Sequence, residues 1–212
     1  MNCPLCQSSE CSLYEQDKQR SFFKCAACEL IFVPRDQMLS AVDEFKRYKS
    51  HQNTLNDPHY FAYLKKIADA SIPELAKESV GLDFGCGETK LLAKIFTEAG
   101  FPTDSYDLYF HPEENIWQRK YNFIFLSEVI EHLAQPREIM LKLSSLLYPG
   151  GKIFIKTKYH PANAADFGQW FYKRDQTHVQ FFNNRAMGFL TKLMKMKGPM
   201  VLDNEDLYLI YI

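Results

Sequence analysis

The segment that most restricts the fold is an apolar stretch, a glycine turn and a helical stretch in direct succession. Residues 80–84 are apolar except for Asp83, and Gly85-Cys86-Gly87 follows them at once. Leu, Ile and Phe then recur at the spacing of one helical face until Gly100. Small residues before a helix let a ligand approach the backbone, and the helix start offers free amides to an anion. The pattern therefore predicts a strand–loop–helix unit that binds a ligand.

An acidic residue completes the pattern of a nucleoside site. Asp107 ends the next predicted strand, 103–108, and lies twenty residues after Gly87. A carboxylate at that place accepts hydrogen bonds from ribose hydroxyls. A structural turn with an N-capping acid is the alternative explanation. The joint occurrence of loop, helix and strand-end acid favours the nucleoside site.

Strands and helices continue to alternate along the chain. Asp57-Pro58 predicts a helix start, because Asp is an N-cap acceptor and Pro suits the first helical position. The further predicted strands are 123–126, 152–157, 200–202 and 207–212, and the further helices are 43–48, 73–77, 136–147 and 183–197. This alternation predicts an α/β fold with a doubly wound, mostly parallel sheet that is covered on both faces.

Five of the six cysteines lie in the segment from Cys3 to Cys28. Residues 7–24 separate Cys3-x-x-Cys6 from Cys25-x-x-Cys28, a spacing typical of zinc ribbons. Four thiolates suit a closed, structural zinc site, whereas buried or disulfide-bonded cysteines are the alternative. Cys11 has no partner at short spacing and is interpreted as a spare thiol. We expect a zinc-ribbon-like module at 1–34, a linker or lid at 35–56 and the main domain at 57–212.

Composition and charge exclude several other classes of protein. The chain is 46% hydrophobic and 24% charged, as globular proteins are, which excludes a disordered or fibrous chain. Its net charge of −1 lacks the basic excess that binding of nucleic acid phosphates usually requires. The start has no signal-peptide pattern, and the apolar runs are too short to span a membrane. We therefore expect a cytoplasmic protein whose main partner is not nucleic acid.

Three segments, in this order, resemble the class I S-adenosylmethionine-dependent methyltransferases. Residues 82–89 look like the first cofactor motif of that family, and residues 121–133 are similar to its strand and loop after the adenine site. Residues 146–153 look like its turn into the fifth strand. The resemblance extends to a bacterial group that has a cysteine-rich N-terminus. The segments shared with that group are Tyr48, His51 and Asn53 before the domain, and Trp170, Asp175, Thr177 and His178 after it.

The resemblance implies a Rossmann-like methyltransferase fold, S-adenosylmethionine as the cofactor, and a set of residues that hold it. The implied cofactor-binding residues are Asp83, Gly85, Cys86, Gly87, Asp107, Leu108, Ser127, Glu128 and Val129. The chain departs from the family at Thr89, where a third glycine is usual. Only the segment 108–120 separates Asp107 from Tyr121, where the family places a helix and a strand. We therefore expect a sheet that is trimmed at the third strand.

Methyl transfer requires alignment of a nucleophile with the methyl group, and an oxygen or nitrogen nucleophile also needs a base. Histidine is the usual base near neutral pH. His178 is the first candidate, with Asp175 as an orienting acid, and His51 in the predicted lid is the second. His132 and His160 are further candidates, and each histidine is also compatible with a structural role.

The acceptor is expected to be a small molecule, and the pattern leaves oxygen, nitrogen or carbon open as the methylated atom. Two alternatives are RNA methylation, with the cysteine module gripping RNA, and a non-catalytic scaffold that binds the cofactor. A resemblance to ubiquinone-type O-methyltransferases allows Glu131 with His132 as an alternative divalent-cation site. Trp170, Phe171 and Tyr172 are candidates either for the acceptor pocket or for the core.

Overall fold

The computed structural model describes residues 1–50, 57–202 and 206–211. His51, one of the predicted bases, lies outside the described residues. The strands are β1 (Cys11–Gln16), β2 (Ser21–Cys25), β3 (Ile31–Phe32), β4 (Gly81–Phe84), β5 (Thr103–Tyr106), β6 (Tyr121–Ser127), β7 (Leu147–Lys156), β8 (Gln180–Phe181), β9 (Lys197–Val201) and β10 (Leu207–Tyr211). The α-helices are α1 (Ala41–Lys49), α2 (Pro58–Ser71), α3 (Leu91–Glu98), α4 (Pro136–Ser145), α5 (Ala164–Gln169) and α6 (Asn184–Leu193).

The larger sheet has six strands in the order β5-β4-β6-β7-β10-β9. Strands β5, β4, β6 and β7 are parallel, and β10 pairs antiparallel with β7 and β9. The carboxyl ends of the parallel strands therefore meet along one edge of the sheet, where ligands of open α/β sheets bind. The predicted mostly parallel sheet is confirmed.

The sheet is trimmed beside β5, as predicted. Residues 107–120 contain only an isolated bridge between Asp107 and His111 and a 3-10 helix at Glu114–Gln118. No strand forms in this described segment, so β5 is the edge strand. Arg119 pairs with Asp104 of β5 at 2.6 Å and partly covers that edge.

Helices cover both faces of the larger sheet, which confirms the doubly wound arrangement. Along β6, Ile124 and Leu126 point to one face of the sheet and pack with α4 and α6. Phe123 and Phe125 of the same strand point to the other face and pack with α2 and α3. This alternation follows from the period of two along a strand. Helix α2 begins as predicted, because Asp57 accepts hydrogen bonds from the amides of His59 and Tyr60.

The smaller sheet has the order β1-β2-β3-β8, and all its pairs are antiparallel. Its first three strands come from the cysteine module, whereas β8 lies far along the chain. Cys3, Cys25 and Cys28 pack in the same core as β4, β6 and β7. The module is therefore joined to the rest of the chain by strand pairing with β8 and to the larger sheet by apolar packing. The domain bounds at 34 and 56 stay a prediction.

Among the described residues, no helix has the length and apolar character needed to cross a membrane.

Candidate active site

A cavity of about 500 Å³ lies at the carboxyl ends of β4, β5 and β6. Residues 85–87, 107–108 and 127–129 line it, and we call this set the cofactor wall. His132 and His178 also line it, and we call these two residues the histidine wall. The cavity thus collects His178 and every residue of the predicted cofactor-binding set except Asp83.

The glycine loop of the cofactor wall requires glycine for steric reasons. Gly85 and Gly87 have φ of +81° and +63°, in the left-handed region. A Cβ atom at Gly85 would lie 2.4 Å from Val129 Cγ2, so the two segments of the wall touch directly. The amides of Gly85 and Cys86 both donate to the Tyr106 carbonyl, which anchors the loop to β5.

Asp107 follows β5 and holds the loops beside it. Its Oδ2 atom accepts a hydrogen bond from the Gly87 amide at 3.0 Å. Its Oδ1 atom accepts from the amides of Tyr109 and Phe110 at 2.9 and 3.1 Å. A carboxylate has about four acceptor positions, so capacity remains for one further donor. Leu108 lies next to it and is exposed at the cavity.

Asp83 lies in β4, just before the loop. Its side chain is only 2% exposed, and Oδ2 has no hydrogen-bond partner among the described residues. Burial raises the pKa of this carboxyl to about 7. Unlike the other residues of the predicted cofactor set, Asp83 does not line the cavity.

Two carboxyl groups share one tyrosine beside the cofactor wall. The Tyr172 hydroxyl donates to Glu128 Oε2 at 2.8 Å and also contacts Glu131 Oε1. Glu131 is fully buried, and burial raises its pKa well above the ordinary value. Because a hydroxyl has a single proton, Tyr172 can donate to only one of the two carboxyl groups at a time. Tyr63 donates to the other Glu128 oxygen at 3.3 Å.

The two histidines of the cavity have the same tautomer. His178 Nδ1 lies 2.7 Å from the Tyr172 carbonyl, and His132 Nδ1 lies 3.0 Å from the Thr177 carbonyl. A carbonyl only accepts hydrogen bonds, so each Nδ1 must carry the proton. In a neutral ring Nε2 then keeps the lone pair that can accept a proton. Burial lowers the pKa of His178, which favours this neutral form.

Asp175 and His160 are fixed by other contacts. Asp175 Oδ1 accepts from the amide and hydroxyl of Thr177, and Oδ2 accepts from Arg47 of α1 at 3.1 Å. Asp175 therefore holds the turn before His178, whereas the Tyr172 carbonyl orients the His178 ring. His160 contacts the carbonyls of Pro161 and Glu29 and does not line the cavity.

The predicted alternative pair Glu131–His132 lies beside His178. A carboxylate oxygen of Glu131 and one ring nitrogen of each histidine lie within 4.8 Å of one another. Thr157 donates to Glu131 Oε2 at 3.1 Å, so hydroxyl groups contact both oxygens of this carboxyl. A divalent cation at this place stays a prediction.

Helix α1 lies against the cavity and contributes Glu44 and Tyr48 to its lining. Glu44 accepts hydrogen bonds from the hydroxyls of Tyr109 at 2.6 Å and Tyr48 at 2.9 Å. The Tyr48 ring meets His132 edge-on, with centroids 5.5 Å apart. Part of the segment 35–56 thus covers the cavity.

The four paired cysteines converge in the cysteine module. Their Sγ atoms lie within 4.8 Å of one another, with 3.6 Å between Cys3 and Cys28 and 3.4 Å between Cys6 and Cys25. A tetrahedral ion with Zn–S bonds of about 2.3 Å holds its sulfurs roughly 3.8 Å apart. The donor set therefore fits zinc.

Glu44 and Tyr63 line the cavity and Arg20 binds the backbone beside His178, and none of the three had a signal in the sequence. None of them stands in a recognisable motif, and each contacts a residue that is distant in the sequence. Glu44 and Tyr63 bind partners in distant elements, at Tyr109 and Glu128, and Arg20 reaches across most of the chain to His178.

Known proteins resemble the chain in fold and in domain. A family model described as a methyltransferase domain matches residues 57–193. The 1,6-didemethyltoxoflavin-N1-methyltransferase of Burkholderia thailandensis is 14% identical, with 94% of this chain and 96% of that chain covered and a TM-score of 0.53. A SAM-dependent methyltransferase of Archaeoglobus fulgidus is 16% identical, with 74% and 75% covered and a TM-score of 0.48.

No curated protein matches the chain by sequence. The family match covers more than half of the chain, and the solved structure with the TM-score of 0.53 confirms the fold predicted from the three motifs. The chain therefore belongs to the methyltransferase-domain family, with the fold of the S-adenosylmethionine-dependent methyltransferases.

Proposed function

We propose that this methyltransferase transfers the methyl group of S-adenosylmethionine to a small-molecule acceptor, with His178 as the base. The observation that carries the proposal is the cavity that contains both walls. The glycine loop and Asp107 line the same space as His178, whose Nδ1 is bound to a carbonyl. A bound nucleoside and a base are thereby brought within one site.

The cofactor wall has the features that S-adenosylmethionine needs. Nothing lies within 4 Å of the Cβ position of Gly87, which leaves room for close approach, and Asp107 keeps acceptor capacity for one ribose hydroxyl. Residues 127–129 and Leu108 supply the adjoining lining. Asp83 lies buried in β4 just before the loop and does not line the cavity. When bound, the cofactor supplies a sulfonium methyl group whose carbon–sulfur electrons stay with sulfur as the acceptor attacks.

The histidine wall accounts for the proton of an oxygen or nitrogen acceptor. The Nε2 lone pair of neutral His178 takes the proton as the nucleophile forms its bond to carbon. The Tyr172 carbonyl holds the ring in the required tautomer at 2.7 Å. The lowered pKa keeps His178 unprotonated near neutral pH. Asp175 acts through the turn that it holds, and His51 keeps its predicted place in the lid.

The charge of the cavity favours a neutral or cationic small molecule over RNA. Four carboxylate residues line it, namely Glu44, Glu88, Asp107 and Glu128. Within the part of the chain that the structure describes, no lysine or arginine lines it. Such a field attracts a sulfonium and repels phosphates. The Burkholderia neighbour was solved with a small molecule and S-adenosylhomocysteine bound, which agrees with this class of acceptor.

We further propose that Cys3, Cys6, Cys25 and Cys28 hold a structural zinc ion. The four sulfurs leave no open position for a substrate, so this ion supports the fold and takes no part in the reaction. The bounds 1–34, 35–56 and 57–212 remain our description of module, lid and methyltransferase domain.

Calorimetry with S-adenosylmethionine and S-adenosylhomocysteine tests the cofactor proposal. We expect saturable binding of both at one site per chain. Absence of heat with either ligand at millimolar concentration would overturn the proposal. Asp104→Asn is a matched control for variants of the cofactor wall, because Asp104 pairs with Arg119 and Tyr121 outside the cavity.

Release of S-adenosylhomocysteine in the presence of acceptors separates an enzyme from a scaffold. The protein would be incubated with S-adenosylmethionine and either small-molecule fractions or purified RNA. We expect release with a small-molecule fraction, and at least about a 100-fold lower rate in His178→Gln. Release only with RNA would support the RNA alternative, and cofactor binding without release in either case would support the scaffold.

A further inference from the structure

The segment that carries His178 lies between the cavity and the cysteine module. We call residues 170–182 the His178 loop. It contains a 3-10 helix at Phe171–Arg174 and the strand β8. Its inner contacts reach the cavity, since the Tyr172 carbonyl orients His178 and the Thr177 carbonyl orients His132. Whatever fixes this loop therefore fixes both histidines.

Arg20, in the turn between β1 and β2 of the cysteine module, is bound by this loop. Nη1 donates to the carbonyls of Gln176 at 3.1 Å and His178 at 2.9 Å. Nη2 donates to the carbonyls of Asp175 at 3.1 Å and Lys173. The Arg20 side chain is buried, with 6% of its surface exposed. One guanidinium thus satisfies four carbonyls in the segment 173–178.

Further contacts join the module to the same loop. Strand β3 pairs with β8, and the Val33 amide donates to the Val179 carbonyl at 2.9 Å. The buried Lys173 forms ion pairs with Glu15 at 2.8 Å and Asp17 at 3.3 Å in the hairpin. The loop therefore supplies the fourth strand of the smaller sheet, and through His178 it also lines the cavity.

We propose that the cysteine module, through Arg20, is a positioning element that holds His178 in its Nδ1–H tautomer at the cavity. This inference rests on the proposed role of His178 as the base. Arg20 is a positioning residue, because it touches the loop backbone and not the cavity. The module then supports the wall of the cavity that carries His178 and contributes no residue to its lining.

Arginine is the residue type that suits this position. Four carbonyls that converge in a buried place repel one another unless a cation with several directed donors lies between them. The planar fork of Arg20 reaches all four, whereas a lysine ammonium has one nitrogen and three donors. Without the guanidinium, the turn at 173–178 loses its shape, and the Tyr172 carbonyl no longer faces His178 Nδ1 in a fixed way.

The test compares Arg20→Met with Arg137→Met in the full chain. Arg137 also donates to the module, at the Leu5 carbonyl, but it does not touch the His178 loop. Nitrogen-15 shifts of the histidine rings report the tautomer, and the His178→Gln spectrum assigns the signal of His178. We expect loss of the pure Nδ1–H tautomer in Arg20→Met alone. Amide exchange at Val179 should rise about tenfold or more, while affinity for S-adenosylhomocysteine stays within about twofold of the unmodified protein.

An unchanged His178 tautomer in Arg20→Met would overturn the inference, whatever the variant does to stability. Arg20→Lys keeps the charge and is the second variant if Arg20→Met does not fold. Arg20→Lys should also lose the pure Nδ1–H tautomer of His178, but to a smaller degree. Ring nitrogen shifts identical to those of the unmodified protein would again overturn the inference.

One measurement needs no variant. In the unmodified protein the Nη protons of Arg20 should give separate, slowly exchanging signals, and a single averaged signal would contradict the inference. Failure of the unmodified protein to bind S-adenosylhomocysteine would defeat the proposed function while leaving these ring and guanidinium measurements intact.

Discussion

The two walls of the cavity are built in different ways. The cofactor wall comes from the ends of adjacent strands, so the sheet order itself brings Gly85, Asp107 and Glu128 together. In the histidine wall, His178 lies in a loop whose position depends on contacts with Arg20 and Glu15 of the cysteine module, and the Thr177 carbonyl of that loop orients His132. One wall is therefore held by the core of the sheet, and the other by polar contacts between distant segments.

Removal of a metal ligand is the strongest way to test this contrast. We expect Cys28→Ser to lower the zinc content from one ion per chain and to cost several kcal/mol of unfolding free energy, since zinc binding supplies ~10 kcal/mol in small modules. The histidine wall should loosen before the cofactor wall. Metal analysis, thermal melting and amide exchange of the His178 loop measure the three effects.

The matched control for this experiment is Cys11→Ser. Cys11 lies near the cluster, where its thiol contacts the Ser8 carbonyl at 3.5 Å, but it belongs to neither paired motif. We expect unchanged zinc content in this variant. Zinc loss in Cys11→Ser, or full zinc retention in Cys28→Ser, would contradict the assignment of the four ligands.

The cofactor wall has its own test in two neighbouring glycines. Gly85→Ala should cost ~3 kcal/mol of unfolding free energy, because its Cβ would overlap Val129 and its φ is left-handed. Gly87→Ala should cost only ~1 kcal/mol, because nothing lies within 4 Å of its Cβ position. Urea unfolding measures both, and equal losses would show that the loop packs differently.

The same contrast explains what the sequence could predict. The cofactor wall was predictable because residues 82–89 carry their signal in contiguous letters and a strand end carries Asp107. The trimmed sheet was predictable because the segment 108–120 is too short for a helix and a strand. The start of α2 was predictable from Asp57-Pro58, since a cap and its helix are neighbours in the chain.

The histidine wall was not predictable beyond the identities of His178 and His132 as candidates. Arg20 looks like any charged turn residue, and its partners lie near the opposite end of the chain. Strand β8 is very short and forms because β3 offers it an unpaired edge. Some element bounds were also wrong for local reasons. The predicted helix 73–77 is a 3-10 turn at Ile72–Glu74, and α6 ends at Leu193 with Lys195 left-handed soon after, short of the predicted 197.

Asp107 offers a test that should affect one wall and spare the other. Asp107→Asn keeps the size of the side chain but replaces the carboxylate, which is proposed to accept a hydrogen bond from the ribose, with a neutral amide. We expect affinity for S-adenosylhomocysteine to fall about 10- to 100-fold, as for loss of hydrogen bonds to a charged group. The His178 tautomer should stay unchanged. Calorimetry and ring nitrogen shifts check the two statements, with Asp104→Asn as the control, and a shifted tautomer would show that the walls are coupled.

Asp83 allows the cofactor wall to be tested through pH, because it is a buried, incompletely bonded acid beneath that wall. Its pKa is about 7 in the folded chain, raised by burial, and about 4 when unfolded. Between these values the folded state binds more protons than the unfolded state, so the stability contributed by this group is full below about pH 4 and is lost as pH rises towards 7.

Asp83→Asn does not titrate and therefore isolates this effect. The unfolding free energy of the unmodified protein, relative to Asp83→Asn, should fall by ~1 kcal/mol per pH unit from about pH 5 to 7 and stay level above that. Urea titrations at four pH values measure the difference, and bound S-adenosylhomocysteine must be absent because its charge would alter the pKa. A difference that stays constant with pH would mean that Asp83 is ionised in the folded chain. The cofactor wall would then need a hydrogen-bond donor beneath its loop, and its support would depend on a polar contact just as the histidine wall depends on Arg20.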